Sequence, residues 1–193
     1  MEWTHISPEV KRLNGEYVLP FVKGSEGPVH AVDMFGTPDH YTSLTLELAV
    51  KKGWLGVYPI WSYPFLLDEF AVFICNDWTI WRGQEFGIRF PMHLGKNWCT
   101  VYAQHPWGSF LWFDVPIYVP NVEDVHGYNL EIRRFDDCVQ AIFRIDGKPK
   151  FWFRGKNFNL PFLPVLCAHT RYGEDFGYTM RLKSIRWSVD RSR

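Results

Sequence analysis

Alternation of apolar and polar side chains recurs along most of this chain, and it is the feature that most limits the fold. In segment 41–50, Leu44, Leu46 and Leu48 fall on one side of an extended backbone, and Glu47 falls on the other. Successive side chains of a strand point to opposite faces, so a period of two predicts a strand with one buried face. Short turns rich in Gly, Pro, Asn and Asp separate these runs, and helical periodicity is nearly absent. We therefore expect an all-β protein.

About thirteen strand-like runs with short connections are typical of a two-sheet antiparallel β-sandwich of jelly-roll type. The predicted strands are 16–22, 28–34, 41–50, 69–75, 78–81, 85–90, 98–104, 110–119, 128–135, 138–145, 150–153, 163–170 and 178–189. Segment 56–61 is interrupted by Pro59 and predicts an edge strand or a loop. No composition shift or long linker divides the chain, so we expect one domain over 1–193. Its N-terminal arm, 1–15, has Ser7 and Pro8 placed to cap a short helical turn.

Two positions near the C-terminus predict local backbone geometry. Asp146-Gly147 joins two alternating runs and predicts a two-residue type I′ turn or the start of a slightly longer one. The last run changes phase near Lys183-Ser184, which predicts a β-bulge there. After the Asp-Gly turn come Phe151, Trp152 and Phe153, and alternation allows the Phe pair or Trp152 to face the core, but not both.

Lys+Arg and Asp+Glu both number 21, so the formal net charge is zero. This balance argues against nucleic acid as a partner, and it leaves a homo-oligomer or larger assembly open. No run is long and apolar enough for a membrane span, and no N-terminal signal peptide is recognisable. We expect a soluble chain made in the cytosol or a mature form without its leader, and its compartment stays unassigned.

Four cysteines and seven histidines are dispersed along the chain. Cys75, Cys99, Cys138 and Cys167 all sit in apolar runs without CxxC spacing, which favours buried thiols; disulfides stay open in an oxidising environment. No spacing of His and Cys predicts a metal site, and no phosphate-binding or dinucleotide motif predicts a cofactor.

The C-terminal third contains an ordered series of elements. YNLEIRRF is followed by VQAIFRIDGKPKFWF, then by LPFLPVLCAHT and YTMRLKSIRWSV. Over about residues 127–189 this order resembles the closing part of the jelly roll in the concanavalin A-like lectin/glucanase superfamily. The resemblance implies two large antiparallel sheets, one of them concave, with carbohydrate bound on the concave face.

The chain departs from the catalytic members of that superfamily. Laminarinase-type glucanases carry Glu-x-Asp-x-x-Glu on one strand, whereas the nearest stretch here is LLDEFAVF, in which Asp68 and Glu69 are adjacent and point to opposite faces. The calcium loop of legume-type lectins is also missing from the sequence. Glycoside hydrolysis needs two carboxyl groups about 5 to 9.5 Å apart. The weak candidates for such a pair, if burial raised the pKa of one of them, are Glu47, Glu69, Asp114 and Glu131.

Sugar binding needs aromatic faces and planar polar groups rather than an acid pair. The stretch WCTVYAQHPWGSFLWFD offers both. Three neighbouring strands and one loop supply the predicted ligand-binding residues, which are Trp98, Tyr102, Gln104, Trp107, Trp112, Asp114, Glu131 and Arg133.

The sequence thus favours a non-catalytic, lectin-like β-sandwich with carbohydrate or glycan as its partner. Two alternatives stay open. One is a structural or assembly protein, such as a viral or cell-surface coat component, built on the same sandwich. The other is a glycoside hydrolase or lyase with a non-standard acid pair.

Overall fold

The computed structural model describes residues 2–21, 30–52, 69–75, 85–91, 94–104, 113–136, 138–156, 161–170 and 177–191. These residues form fourteen strands, and the described part of the chain contains no helix. In particular, no helix among them is long and apolar enough to cross a membrane. The all-β prediction is confirmed.

Seven strands form the first sheet, which we call sheet A. In spatial order they are β1 (Trp3–Ile6), β4 (His30–Gly36), β13 (Leu163–Thr170), β6 (Glu69–Cys75), β7 (Glu85–Pro91), β8 (Trp98–Gln104) and β9 (Phe113–Tyr118). All neighbouring pairs are antiparallel. β6 is therefore the central strand, and β9, which contains Pro116, lies at an edge where a missing N–H is tolerated.

Seven strands also form sheet B. Their spatial order is β12 (Lys148–Lys156), β11 (Cys138–Ile145), β10 (His126–Arg134), β5 (Tyr41–Lys51), β14 (Thr179–Val189), β3 (Glu16–Pro20) and β2 (Lys11–Leu13). Neighbours are again antiparallel. β5 lies between β10 and β14, so residues far apart in the chain become neighbours at the centre of the sheet.

One hydrophobic core joins the two sheets. Sheet B contributes the apolar side of each alternating strand, for example Leu46, Leu130 and Phe143, and sheet A contributes Phe86 and Leu166 among others. Each fully buried side chain of this size stabilises the fold by about 1.5–3 kcal/mol relative to an exposed one. The face of each sheet that is turned away from the other sheet is called its outer face.

Several local predictions are confirmed. β8, β11 and β13 have the predicted boundaries. Asp146 and Gly147 have φ of 50° and 75°, and Ile145 pairs with Lys148, as a two-residue type I′ turn requires. The register of β14 shifts between Leu182 and Ser184, which is the predicted bulge. The predicted strand 78–81 and the segment 56–61 lie outside the described residues.

The N-terminal arm makes a single turn at Ser7-Pro8, but no helix follows it within the described residues. The Val10 N–H donates to the Ser7 carbonyl oxygen at 3.0 Å, which closes a single turn around Pro8. The next residues, Lys11–Leu13, pair with β3 across Asn14-Gly15, whose φ values are 52° and 84°. Pairing with a strand satisfies these backbone groups, whereas a helix of one turn would leave most of them without partners.

The aromatic triplet of β12 divides between two environments. Phe151 and Phe153 pack against the core, and the Phe153 ring meets Phe86 edge-to-face at 5.5 Å. Trp152, which pairs with Ile142 on the outer face of sheet B, is 61% exposed.

Candidate functional site

The outer face of sheet A contains polar and aromatic side chains that are nevertheless buried. Phe86, Ile88 and Phe90 of β7 belong to the core, so Arg89 between them lies on the outer face. On β8, Thr100 likewise lies on the outer face between Cys99 and Val101. Along this outer face Arg89, Thr100 and Tyr102 are 6%, 4% and 1% exposed. Tyr102 belongs to a second hydrophobic cluster with Val165 and Cys167, so this part of the outer face is packed rather than solvated.

Arg89 and Tyr102 are in direct contact. The Arg89 guanidinium carbon lies 3.6 Å from the centroid of the Tyr102 ring. A cation–π contact of this kind contributes about 0.5–2 kcal/mol. The stacked ring holds the guanidinium in one orientation, with a planar set of N–H donors along the outer face.

An exposed aromatic pair lies at the end of the same strands. Trp98 of β8 pairs in register with Tyr118 of β9, and their rings meet edge-to-face at 5.5 Å. Trp98 is 38% and Tyr118 is 51% exposed. Because Trp98, Thr100 and Tyr102 alternate on one side of β8, this pair is continuous with the Arg89–Tyr102 contact. We call Arg89, Trp98, Thr100, Tyr102 and Tyr118 the β7–β9 face.

A buried lysine supports the exposed end of this face. Lys52 Nζ donates to the carbonyl oxygens of Trp98 at 2.7 Å and Pro91 at 2.9 Å. Burial lowers the pKa of Lys52 to about 8, although the neighbouring Cys99 opposes the shift. Burial also raises the pKa of Cys99 to about 12, so its thiol stays protonated at neutral pH. Lys52 thereby ties the end of β5 to the point where β8 begins.

A polar cluster occupies the opposite part of the outer face, near β1. Asp33 Oδ1 accepts hydrogen bonds from Ser7 Oγ at 2.8 Å and from His5 Nε2 at 3.0 Å. The His5 ring is stacked on Phe35 at 4.5 Å. In a catalytic triad the nucleophile contacts the base, and the base contacts the orienting acid. Here Ser7 and His5 each contact the Asp33 carboxylate, so the cluster does not have the arrangement of a triad. The cluster fastens β1 to β4.

Comparisons with known proteins bear on this architecture. No protein-family model and no curated protein matches the chain. Several solved structures are similar to it over most of its length. The GlcNAcα1-4Gal releasing endo-β-galactosidase from Clostridium perfringens has a TM-score of 0.69 and 13% identity, over 96% of this chain and 58% of that one. Laminarinase from Flavobacterium sp. UMI-01 has a TM-score of 0.66 and 12% identity, over 93% of this chain and 81% of that one. The legume lectin-like domain from Entamoeba histolytica has a TM-score of 0.60 and 10% identity, over 96% of this chain and 89% of that one.

The fold is that of the concanavalin A-like lectins and glucanases. The resemblance found in residues 127–189 therefore extends over nearly the whole chain. This chain spans 58% of the endo-β-galactosidase, whereas it spans most of the lectin-like domain.

Within this concanavalin A-like fold, the candidate carboxylates of sheet A are far apart. Only the backbone of Glu69 and Asp114 is described, but the strand register gives their positions. Asp114 pairs with Tyr102, and the same row of paired residues meets β6 at Phe73. Glu69 lies four residues from Phe73 along β6, and β6 lies three strands from β9, so the Cα atoms of Glu69 and Asp114 are about 20 Å apart. Glu85 pairs with Cys75 at the far end of β6 and is also about 20 Å from Glu69. Carboxyl groups that cooperate in glycoside hydrolysis lie only about 5 to 9.5 Å apart.

The other two candidate carboxylates lie on the outer face of sheet B. Glu131 is held by Arg133 at 2.6 Å and by Arg144 at 2.7 Å. Glu47 accepts a hydrogen bond from Ser184 Oγ at 2.6 Å. That bond lowers the pKa of Glu47; burial opposes the shift and the Arg186 charge adds to it. The expectation of a raised pKa is therefore wrong for Glu47, because its hydrogen bond stabilises the charged form.

The structure thus separates the predicted ligand-binding residues into two sets. Trp98 and Tyr102 lie together on the β7–β9 face, whereas Glu131 and Arg133 lie on the other side of the sandwich. One groove cannot contain both sets, because β10 belongs to sheet B. Gln104 is described only by its backbone, in register with Glu85, and Trp107 and Trp112 lie outside the described residues.

Tyr118 and Arg89 are not among the ligand-binding residues predicted from the sequence. The alternation of β9 was visible, but the pairing that puts Tyr118 beside Trp98 depends on register between strands. Across the described ranges, no group of three or more His, Cys, Asp or Glu side chains could hold a metal ion. Cys99 and Cys167 are buried as predicted, whereas Cys138 is only partly buried.

Proposed function

We propose that this protein is a non-catalytic, lectin-like carbohydrate-binding protein whose ligand lies on the β7–β9 face. The observation that carries the proposal is the exposed Trp98–Tyr118 pair, which continues into the buried Arg89–Tyr102 contact. Aromatic rings stack on the C–H faces of sugars, and guanidinium and hydroxyl groups bind sugar hydroxyls. The exposed ring pair is open to a sugar, whereas Arg89, Thr100 and Tyr102 are buried and support the strands beside it.

The structural neighbours support a carbohydrate ligand. Their names describe an endo-β-galactosidase, a laminarinase and a legume lectin-like domain. A non-catalytic role is favoured by the separation of the acids, because Glu47 and Glu131 are engaged on sheet B and the sheet A acids Glu69 and Asp114 are about 20 Å apart by register.

A glycan array followed by titration calorimetry tests the proposal. We expect binding of a neutral glycan, and we expect Trp98→Ala or Tyr118→Ala to weaken it by at least about tenfold, or about 1.4 kcal/mol. Trp187→Ala is the matched control, because Trp187 is 42% exposed but lies on β14 of the other sheet. Absence of glycan binding together with a large oligomer in light scattering would instead favour an assembly protein.

A glycoside hydrolase is the second candidate, because Glu69 lies on the central strand of sheet A and several structural neighbours are named as hydrolases. Its nearest acid on the sheet A strands is Asp33, about 12 Å away between Cα atoms by register. Reducing-end release from laminarin, lichenan and galactan tests this candidate. Release by the wild type that is lost in Glu69→Gln, with binding retained, would replace the lectin proposal.

A further inference from the structure

The outer face of sheet B presents an exposed tryptophan among cations. Trp152, on the edge strand β12, is 61% exposed, and no ring or cation contact to it is found within the described residues. Strand pairing places it beside Ile142, and Ile142 beside Glu131. The exposed indole offers a flat apolar face on which a ligand ring can stack.

Three arginines lie within two strands of Trp152 on the same face of sheet B. Arg154 lies two residues after Trp152 on β12 and pairs with Gln140 of β11. Gln140 in turn pairs with Arg133 of β10. Arg144 lies on the next row of β11. We call Trp152, Arg154, Arg133 and Arg144 the Trp152 patch.

The Trp152 patch is strongly positive although the chain as a whole is neutral. Glu131 is the one carboxylate in the sequences of β10, β11 and β12, and both of its oxygens are already held by Arg133 and Arg144. Each guanidinium has five N–H donors, so each arginine keeps donors for a ligand. Glu131 orients these groups more than it neutralises the patch.

The shape of the patch suits a chain lying flat on the sheet. Its three strands span about 10 Å, and the rows from Arg144 to Gln140 span about 14 Å. Planar hydrogen-bonding groups, including Asn129 and Gln140, lie on the same face, and the Arg154 guanidinium lies 5.1 Å from the centroid of a second exposed ring, Phe135. Insertion into a lipid surface would need a larger apolar area than Trp152 and Ile142 provide.

We propose that the Trp152 patch is a second binding site, separate from the β7–β9 face, for a linear polysaccharide with carboxylate or sulfate groups. Trp152 stacks on a sugar ring, and Arg154, Arg133 and Arg144 bind its anionic groups. The two sites lie on opposite sides of the sandwich, so one molecule can bind two different glycan chains at once.

Titration calorimetry on the full chain, with dextran sulfate, polygalacturonate and neutral dextran as probes, tests this site. We expect one or both anionic polymers to bind and neutral dextran not to bind, and we expect the affinity to fall as NaCl is raised. The comparison of dextran sulfate with polygalacturonate distinguishes sulfate from carboxylate recognition. Equal affinity for dextran and dextran sulfate would overturn the charge-based proposal.

Variants separate this site from general electrostatic attraction. Trp152→Ala should weaken binding of the anionic probe about tenfold and Trp152→Phe much less, while Arg154→Gln should weaken binding several-fold and reduce its salt dependence. Trp187→Ala should leave binding unchanged. Unchanged binding in both Trp152→Ala and Arg154→Gln would overturn the proposal. So would wild-type binding only to phosphatidylserine-containing vesicles or to poly(dT), which would make the patch a membrane or nucleic-acid surface.

Discussion

The turn between β11 and β12 is tied to the start of β10 by a histidine–aspartate pair. His126 Nδ1 lies 2.8 Å from Asp146 Oδ2, and Nε2 lies 3.0 and 3.1 Å from the carbonyl oxygens of Pro120 and Asn121. A neutral imidazole donates from only one nitrogen, so these contacts are all hydrogen bonds only when the ring is protonated. Burial lowers the pKa of His126, but the bonds to Asp146 and to the carbonyl groups outweigh it, and the net pKa is raised.

Replacing His126 with Ala should therefore destabilise the protein in a pH-dependent way. The folded-state pKa lies above the unfolded value of about 6.5, so the stabilisation is complete below about pH 6.5 and is lost as pH rises through the folded pKa. A charge-assisted hydrogen bond contributes about 1.5–3 kcal/mol. The Asp146 side chain is 52% exposed and therefore screened, so we expect the loss to be at the low end, about 1.5 kcal/mol at pH 5.5. At pH 8.5 the loss should fall to less than half of this.

Urea unfolding, followed by tryptophan fluorescence at both pH values, measures the difference in free energy of unfolding between wild type and His126→Ala. The contributions of other titrating groups are common to both proteins and largely cancel in that difference. Asp146→Asn is the matched control, because Asn tolerates the φ of 50° and can still accept the Gly127 N–H. In the Asp146→Asn background, His126→Ala should show little pH dependence. A wild-type difference that is constant between the two pH values, or larger at pH 8.5, would refute the protonated-histidine tie.

Three further predictions concern the core and the backbone. The folded state releases the Lys52 proton near pH 8 and the unfolded state near pH 10.4, so the free energy of unfolding of the wild type should rise by roughly 1–3 kcal/mol between about pH 7 and 10.5. Lys52→Met should remove this rise. Urea titrations across that pH range measure it, and parallel curves for the two proteins would contradict it. Phe143→Ala should cost about 3–5 kcal/mol, because Phe143 is 1% exposed within the core; unfolding curves with a loss below about 1 kcal/mol would be inconsistent with this. Gly147→Ala should cost about 1–2 kcal/mol from backbone conformation alone, since φ is 75° and no atom lies within 4 Å of an added Cβ; thermal melts check it, and an unchanged midpoint would show that the turn relaxes.

Local features were predictable because they depend on neighbours in the chain. The bounds of β8, β11 and β13, the type I′ turn at Asp146-Gly147 and the bulge near Ser184 all follow from alternation and turn chemistry. No helix continues beyond the turn at Ser7-Pro8 in the described part of the chain, for the complementary reason. Ser7 and Pro8 suit a helix start locally, but pairing of Lys11–Leu13 with β3 satisfies more backbone groups.

The sequence by itself determined that this is an all-β chain, which faces of its strands are apolar, and that Trp98 and Tyr102 share a face. Only the tertiary structure decided which sheet each strand joins. It put Tyr118 beside Trp98, and it put Glu131 and Arg133 on the opposite side of the sandwich, two strands from Trp152. Alternation assigns a side chain to one of two faces, but sheet membership and register arise from pairings between distant segments, such as β5 with β14, which no local pattern encodes.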